Sequence, residues 1–358
     1  MQSSKEAFLY LVRLGIGTGT VLGFKYQYPI DWSAVKALSE DMEVSAVVLD
    51  GIEKLPEQHR PPKNFLLEWI GDILQGYEYR YEQYRKTIAE LARFYNSHGY
   101  KMMVLKGYAC SLDWPKPEHR PSGDIDIWLF GQQKDADAVL AKEKGVKIDS
   151  SHHHHTVFYW HDFMVENHYD FVNVHAHSSS AEIEKRFKEL GNDDNYHIEV
   201  YGEKVYLPSP NLNALFLLKH LASHFAASEI SLRQVLDWAL FVKKHTKEID
   251  WVWLNGMIDK FHMKNFVGCI NAICVEDLGF GASIFHGVQF NPQLKDRVLT
   301  DILFPAYGTA EPKGLIKKWA YKYRRWKGNA WKHDMCYREG RWESFWVLLR
   351  SHLMKPEV

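Results

Sequence analysis

Between residues 101 and 207 this chain abandons the helical period that governs it on either side. Met102-Met103-Val104-Leu105 is a short apolar run of the kind a buried strand makes. Asp124-Ile125-Asp126-Ile127-Trp128-Leu129 begins by alternating polar with apolar, the mark of a half-buried strand. Residues 157–160 and 163–168, split by His161-Asp162, read as a β-hairpin with a two-residue turn, and 200–207 as one further strand. A short helix is expected over 135–144.

The flanks are helical. Asp31 and Ser33 open a segment in which Val35, Leu38, Met42 and Ala46 recur at three or four residues. The Pro-rich stretch 56–62 is a connector, and 64–96 reads as a long Tyr-rich helix that Gly99 closes with a left-handed cap. After Pro208 and Pro210, helices are expected over 212–225, 232–244, 251–261 and 264–278. At 358 residues the chain is long enough for two or three units with real cores. The expected fold is α+β: a small mixed β-sheet core at 98–208, a helical region at 1–97, and a helical domain with a basic, Trp-rich tail at 209–358.

In a strand, residues i and i+2 point to the same face, so Asp124 and Asp126 are held side by side. Two like charges so placed are costly unless something positive sits between them, and a hard divalent cation does that. The competing reading is a solvated strand face, and Asp-x-Asp alone favours it. The preceding residues change the balance. A strand ends in Lys106-Gly107, a helix follows, and then comes Arg120-Pro121-Ser122-Gly123-Asp124. Gly107 would let the backbone approach a phosphate, amides at the helix start favour an anion, and Lys106 and Arg120 can neutralise phosphate oxygens.

Val104-Leu105-Lys106-Gly107, with Arg120 and Gly123-Asp124-Ile125-Asp126-Ile127, resembles a bacterial family of mostly uncharacterised nucleotidyltransferases within the polymerase-β-like superfamily. The resemblance implies a soluble, metal-dependent transferase that moves a nucleoside monophosphate from an NTP to a hydroxyl acceptor. Mg2+ is the expected cofactor, with Mn2+ as its substitute. A third carboxylate comes from a later strand in this superfamily. Glu166, in Phe163-Met164-Val165-Glu166-Asn167-His168, is the choice here; Asp170 is the second candidate. Asn167 departs from the family, where an apolar residue is usual. The predicted metal ligands and catalytic residues are therefore Asp124, Asp126 and Glu166. The predicted nucleotide contacts are Lys106, Gly107, Arg120, Ser122, Gly123, Lys219 and Arg233. The last two sit in the motifs Leu217-x-x-His220-x-x-x-His224 and Leu232-Arg233-x-x-x-Asp237, which also match the family. Lys219, His220 or Arg233 would reach the triphosphate or base; alternatively Arg233 and Asp237, four apart on one helix face, form a structural ion pair. His152 to His155 are either a metal or phosphate contact or an exposed loop, and the loop is favoured.

The whole-chain charge of -1 gives no general attraction to nucleic acid or membrane. From Lys313 onward, however, twelve basic side chains face four acidic ones. With Trp319, Trp326, Trp331, Trp342 and Trp346, that stretch offers three readings: a nucleic-acid contact, a membrane-surface helix, or an amphipathic helix packed on the core with its charges outward. The last is preferred. The acceptor class stays open: sugar, other small molecule, RNA end or protein side chain. The four cysteines show no disulfide or zinc spacing, the first residues lack the marks of a secretory leader, and no apolar run is long enough to span a bilayer, so a cytoplasmic location is expected. The alternative function on the same scaffold is a catalytically degenerate protein that binds nucleotide or nucleic acid.

Overall fold

The structure, a computed structural model, describes residues 2–21, 30–175, 177–286, 290–307, 312–344 and 346–347. Its centre is one mixed sheet of six strands: β1 (Met103–Val104), β2 (Ile125–Trp128), β3 (His155–Trp160), β4 (Phe163–His168), β5 (His197–Val200) and β6 (Glu203–Tyr206). The order across the sheet is β3-β4-β2-β1-β6-β5. The β2–β4 and β1–β6 pairs are parallel, and β1–β2, β3–β4 and β5–β6 are antiparallel. The stretch 200–207, read from sequence as one strand, is the end of a second hairpin. Tyr201 (φ +49°) and Gly202 (φ +78°) are consecutive left-handed residues, which is what a tight two-residue turn requires. The acid-bearing strand also differs from expectation: all four residues of β2 are buried, so both of its faces are covered.

Two apolar clusters cover those faces. Ile125, Ile127, Val165 and Phe158 pack with Ile88, Leu91 and Tyr95 of helix Arg80–Ser97 and Leu140 of helix Gln133–Lys144. The opposite face carries Trp128, which joins Phe171, Phe187 of helix Ser180–Gly191 and Phe216 of helix Pro210–Ala227 in the larger cluster. That larger cluster also takes in residues from the N-terminal helices Gln2–Gly15 and Ser45–Glu53 and from helices Leu232–His245 and Lys264–Ala272. Gly51 allows the first two helices to touch, since a Cβ there would lie 2.1 Å from the Leu11 carbonyl oxygen.

Asn167, the residue that breaks the apolar pattern, points to the first face and is fully buried. Its side-chain amide donates to Asp137 Oδ1 (2.8 Å), and Thr156 donates to Asp137 Oδ2 (2.6 Å). A buried carboxylate supplied by helix Gln133–Lys144 thus replaces the apolar contact.

The basic helix Leu315–Gly328 has no buried residue among those described, and Trp319 and Tyr323 are exposed along with its lysines. Aromatic rings and charges therefore face outward together, unlike the expected packing of a plain amphipathic helix. Among the described residues no helix is long and apolar enough to cross a membrane, and the four cysteines are free and buried.

Candidate active site

The parallel β2–β4 register places Asp126 opposite Glu166 and Trp128 opposite His168. Paired residues of adjacent strands share a face, so Asp126, Glu166 and His168 project together beneath helix Pro210–Ala227, while Ile125, Ile127 and Val165 hold the strands down from the other side. His168 Nε2 is 2.9 Å from Asp126 Oδ1 and 3.5 Å from Glu166 Oε2. Asp124 stands one residue before β2, half-buried, next to exposed Gly123.

Lys106 completes the group. It follows β1 with a φ of +37°, a left-handed conformation unfavourable for a residue with a side chain, and its Nζ lies 2.7 Å from Asp126 Oδ1. The adjacent Gly107 has a local reason to lack a side chain. A Cβ there would lie 2.5 Å from the Tyr84 hydroxyl, which donates to the Asp124 carbonyl oxygen at 2.8 Å. The glycine therefore makes room for the tyrosine that fixes the Asp124 backbone. Gly107→Ala is expected to cost about 1–3 kcal/mol of stability through overpacking. In a Tyr84→Phe background the same change costs less, because the clashing oxygen is gone; thermal melts of the four proteins in the cycle measure the difference.

The charges of the group divide the carboxylates. Burial alone would raise the Asp126 pKa, but the Lys106 ammonium and the His168 imidazole overcome it and hold the group well below the usual carboxylate range. Glu166 behaves alike: burial is the largest influence and opposes ionisation, but the His168 hydrogen bond and the Lys106 and His155 charges together outweigh it and lower the pKa. Asp124 moves the other way, raised by burial and then by the Asp126 charge. For His168, burial works against the imidazolium, but Asp126 and Glu166 together raise its pKa. One ligand atom each from Asp126, Glu166 and His168 lie within 4.8 Å of one another. The two carboxylates are donors of the kind that hard divalent ions such as Mg2+ or Mn2+ take, whereas the imidazole is a softer donor.

A family model described as an uncharacterised nucleotidyltransferase matches residues 28–279. The chain belongs to this nucleotidyltransferase family. No curated protein matches it. Among solved structures, the crystal structure of an antigenic nucleotidyltransferase-like protein from Paracoccidioides brasiliensis is similar at 13% identity, with a TM-score of 0.34, over 57% of this chain and 96% of that one.

In this family member the other residues read from sequence fall into two sets. Ser122 and Gly123 lie beside Asp124, and Arg80 Nε donates to the Ser122 carbonyl oxygen at 2.9 Å, tethering the segment. Arg120, Lys219 and Arg233 are engaged elsewhere. Arg120 is buried and grips Asp237 through Nε (2.8 Å) and Nη2 (2.9 Å). Arg233 binds Glu43 (3.0 Å) and approaches Asp237 (3.5 Å). Lys219 is buried with its ammonium 4.3 Å from the centre of the Tyr337 ring; burial lowers its pKa to about 8. Asp170 is paired with Lys188. Its competitor Glu166 is the acid that faces Asp126.

The histidine run is not an exposed loop. His153 and His155 are buried and His154 half-buried. His155 opens β3 directly opposite His168, with Nε2 at 3.8 Å from Glu166 Oε1. Burial, then the His168 charge, drops the His154 pKa to about 2; burial also brings His155 down to about 4 against the pull of Glu166. On helix Pro210–Ala227, burial and then the Lys106 charge keep His220 well below the usual range. The sequence held a signal for His168 and His155, since both fall on Glu166's face by strand parity, but nothing local pointed to Tyr84.

Proposed function

We propose that the chain is a metal-dependent nucleotidyltransferase that moves a nucleoside monophosphate from an NTP to a hydroxyl acceptor. The observation that carries this reading is the register that sets Asp126 against Glu166, with Lys106 bridged to Asp126 and Asp124 two residues upstream. Asp124, Asp126 and Glu166 would hold the divalent cation, Mg2+ or Mn2+. When bound, such an ion neutralises phosphate charge and lowers the pKa of an oxygen nucleophile. Lys106 would hold the leaving phosphates, and the segment Ser122-Gly123, fixed by Arg80 and Tyr84, would position the triphosphate at the mouth of the site. Positioning of this kind supplies much of the rate in phosphoryl chemistry. In the transfer, the acceptor oxygen bonds to the α-phosphorus, the bond from that phosphorus to the bridging oxygen breaks, pyrophosphate leaves, and the hydroxyl proton passes to water. His168 would orient Asp126 and Glu166.

The test is release of labelled pyrophosphate from each of the four NTPs with Mg2+, in the presence of cell extract as the source of acceptor. One NTP is expected to be consumed with formation of a nucleotide-bearing product, and Glu166→Gln is expected to slow it by about 100-fold, the scale of losing one charge-stabilising group. Undiminished turnover by the Gln variant would remove Glu166 from the site.

One observation favours a second reading. Lys106 and His168 already satisfy Asp126 from within the protein, as in a degenerate member that binds nucleotide without turnover. Calorimetry showing NTP binding indifferent to Mg2+, together with no pyrophosphate release, would establish that alternative.

A further inference from the structure

A second ligand set stands beside the carboxylates. One nitrogen each from His154, His155 and His168 lie within 4.8 Å of one another. The rings of His154 and His155 are 4.4 Å apart between centres, and those of His155 and His168 5.3 Å. The Nδ1 atoms of His154 and His155 are both buried and have no hydrogen-bond partner. A buried polar atom without a partner is costly, and a run that folds inward at that cost needs an explanation. Glu166 reaches the same set: its Oε1 is 3.8 Å from His155 Nε2 and its Oε2 3.5 Å from His168 Nε2.

We propose that His154, His155 and His168, with Glu166 beside them, form a site for one borderline divalent cation of the Zn2+ and Co2+ class, distinct in chemistry from the oxygen-rich set. Three imidazoles are the protein ligands of a zinc site that leaves its fourth position for water or a further donor. His168 belongs to the imidazole set and also contacts Asp126 and Glu166, so an ion on the imidazoles competes with the carboxylates for it. An ion on the imidazole set draws His168 away from Asp126, which makes such an ion an inhibitor of transfer. That last consequence rests on the proposed function; the site itself does not.

The probe is cobalt chloride titrated into the full chain, followed by visible d–d absorption, with zinc chloride calorimetry beside it. The expected result is one ion per chain, with the intense absorption of four-coordinate cobalt. His154→Ala and His155→Ala should each weaken binding by at least about 100-fold, the upper end of what losing a merely supporting residue costs, while His152→Ala keeps it. Weak bands of octahedral cobalt, several ions per chain, or equal loss in His152→Ala would mean adventitious chelation by a histidine run and would overturn the proposal. A failed NTP assay with cobalt binding intact would sink the transferase reading and leave this site standing. Transfer that Zn2+ does not inhibit, in a protein that binds cobalt as described, would remove the shared-ligand consequence alone.

Discussion

Asp126→Asn is expected to reduce nucleotide transfer by on the order of 1,000-fold or more, about 4 kcal/mol of barrier. The substitution keeps the shape of the side chain and removes the charge on which three features converge. Lys106 Nζ and His168 Nε2 both contact the same Oδ1 atom, at 2.7 and 2.9 Å, and Glu166 lies opposite in the ladder. Without the carboxylate the proposed cation would lose a ligand, and the Lys106 and His168 pKa values would both fall, since burial disfavours their charged forms once the Asp126 charge is gone. Single-turnover kinetics at saturating NTP, with circular dichroism to confirm the fold, measure the effect. A rate within tenfold of the parent would exclude Asp126 from the chemistry.

The second large effect is on stability. Asp237→Ala is expected to lower the unfolding free energy by about 3–5 kcal/mol, because it leaves Arg120 charged and buried without the carboxylate that pairs with it. Asp237 accepts two bonds from Arg120 and one from Trp114 Nε1 at 2.9 Å, and both members of the pair are about 5 % exposed at the side chain. The paired replacement Arg120→Met with Asp237→Leu should lose much less, since no uncompensated charge is left inside. Urea unfolding of the two variants separates these outcomes; equal losses would show that packing around the site, not the stranded charge, sets the cost.

Arg120 also marks the limit of what local sequence reveals. Strand parity is a short-range property, so the common face of Asp126, Glu166 and His168 is readable once β2 and β4 are recognised. The partner of Arg120 lies 117 residues away, and no local pattern tells a phosphate-binding arginine from one held by a distant carboxylate. The reach of Gly107 to Tyr84 was hidden for the same reason: one comes from the sheet block and the other from the preceding helix. The histidine run reads as a loop because four consecutive polar residues suggest solvent, whereas the fold turns His153 and His155 inward. The hairpin at 197–206 was missed because Tyr201 is a poor turn signal, although Gly202 beside it is a good one. Asn167, a departure from the family's apolar residue, is explained by Asp137, again through a contact from another element.

The two apolar clusters are completed at different moments of synthesis. All the buried residues of the smaller cluster lie between Tyr81 and Val205, so one face of the sheet can close as soon as that stretch has left the ribosome. The larger cluster draws on residues from Ala7 to Tyr337, and the sheet face that bears the acids cannot be covered until helix Pro210–Ala227 and its neighbours have emerged. During that interval the nascent chain carries its charged cluster without that helix over it, and Trp128 has Phe171 and Phe187 but not Phe216 against it. Pauses in translation within the first two hundred codons would then be tolerated, while pauses shortly after them would prolong the aggregation-prone stage.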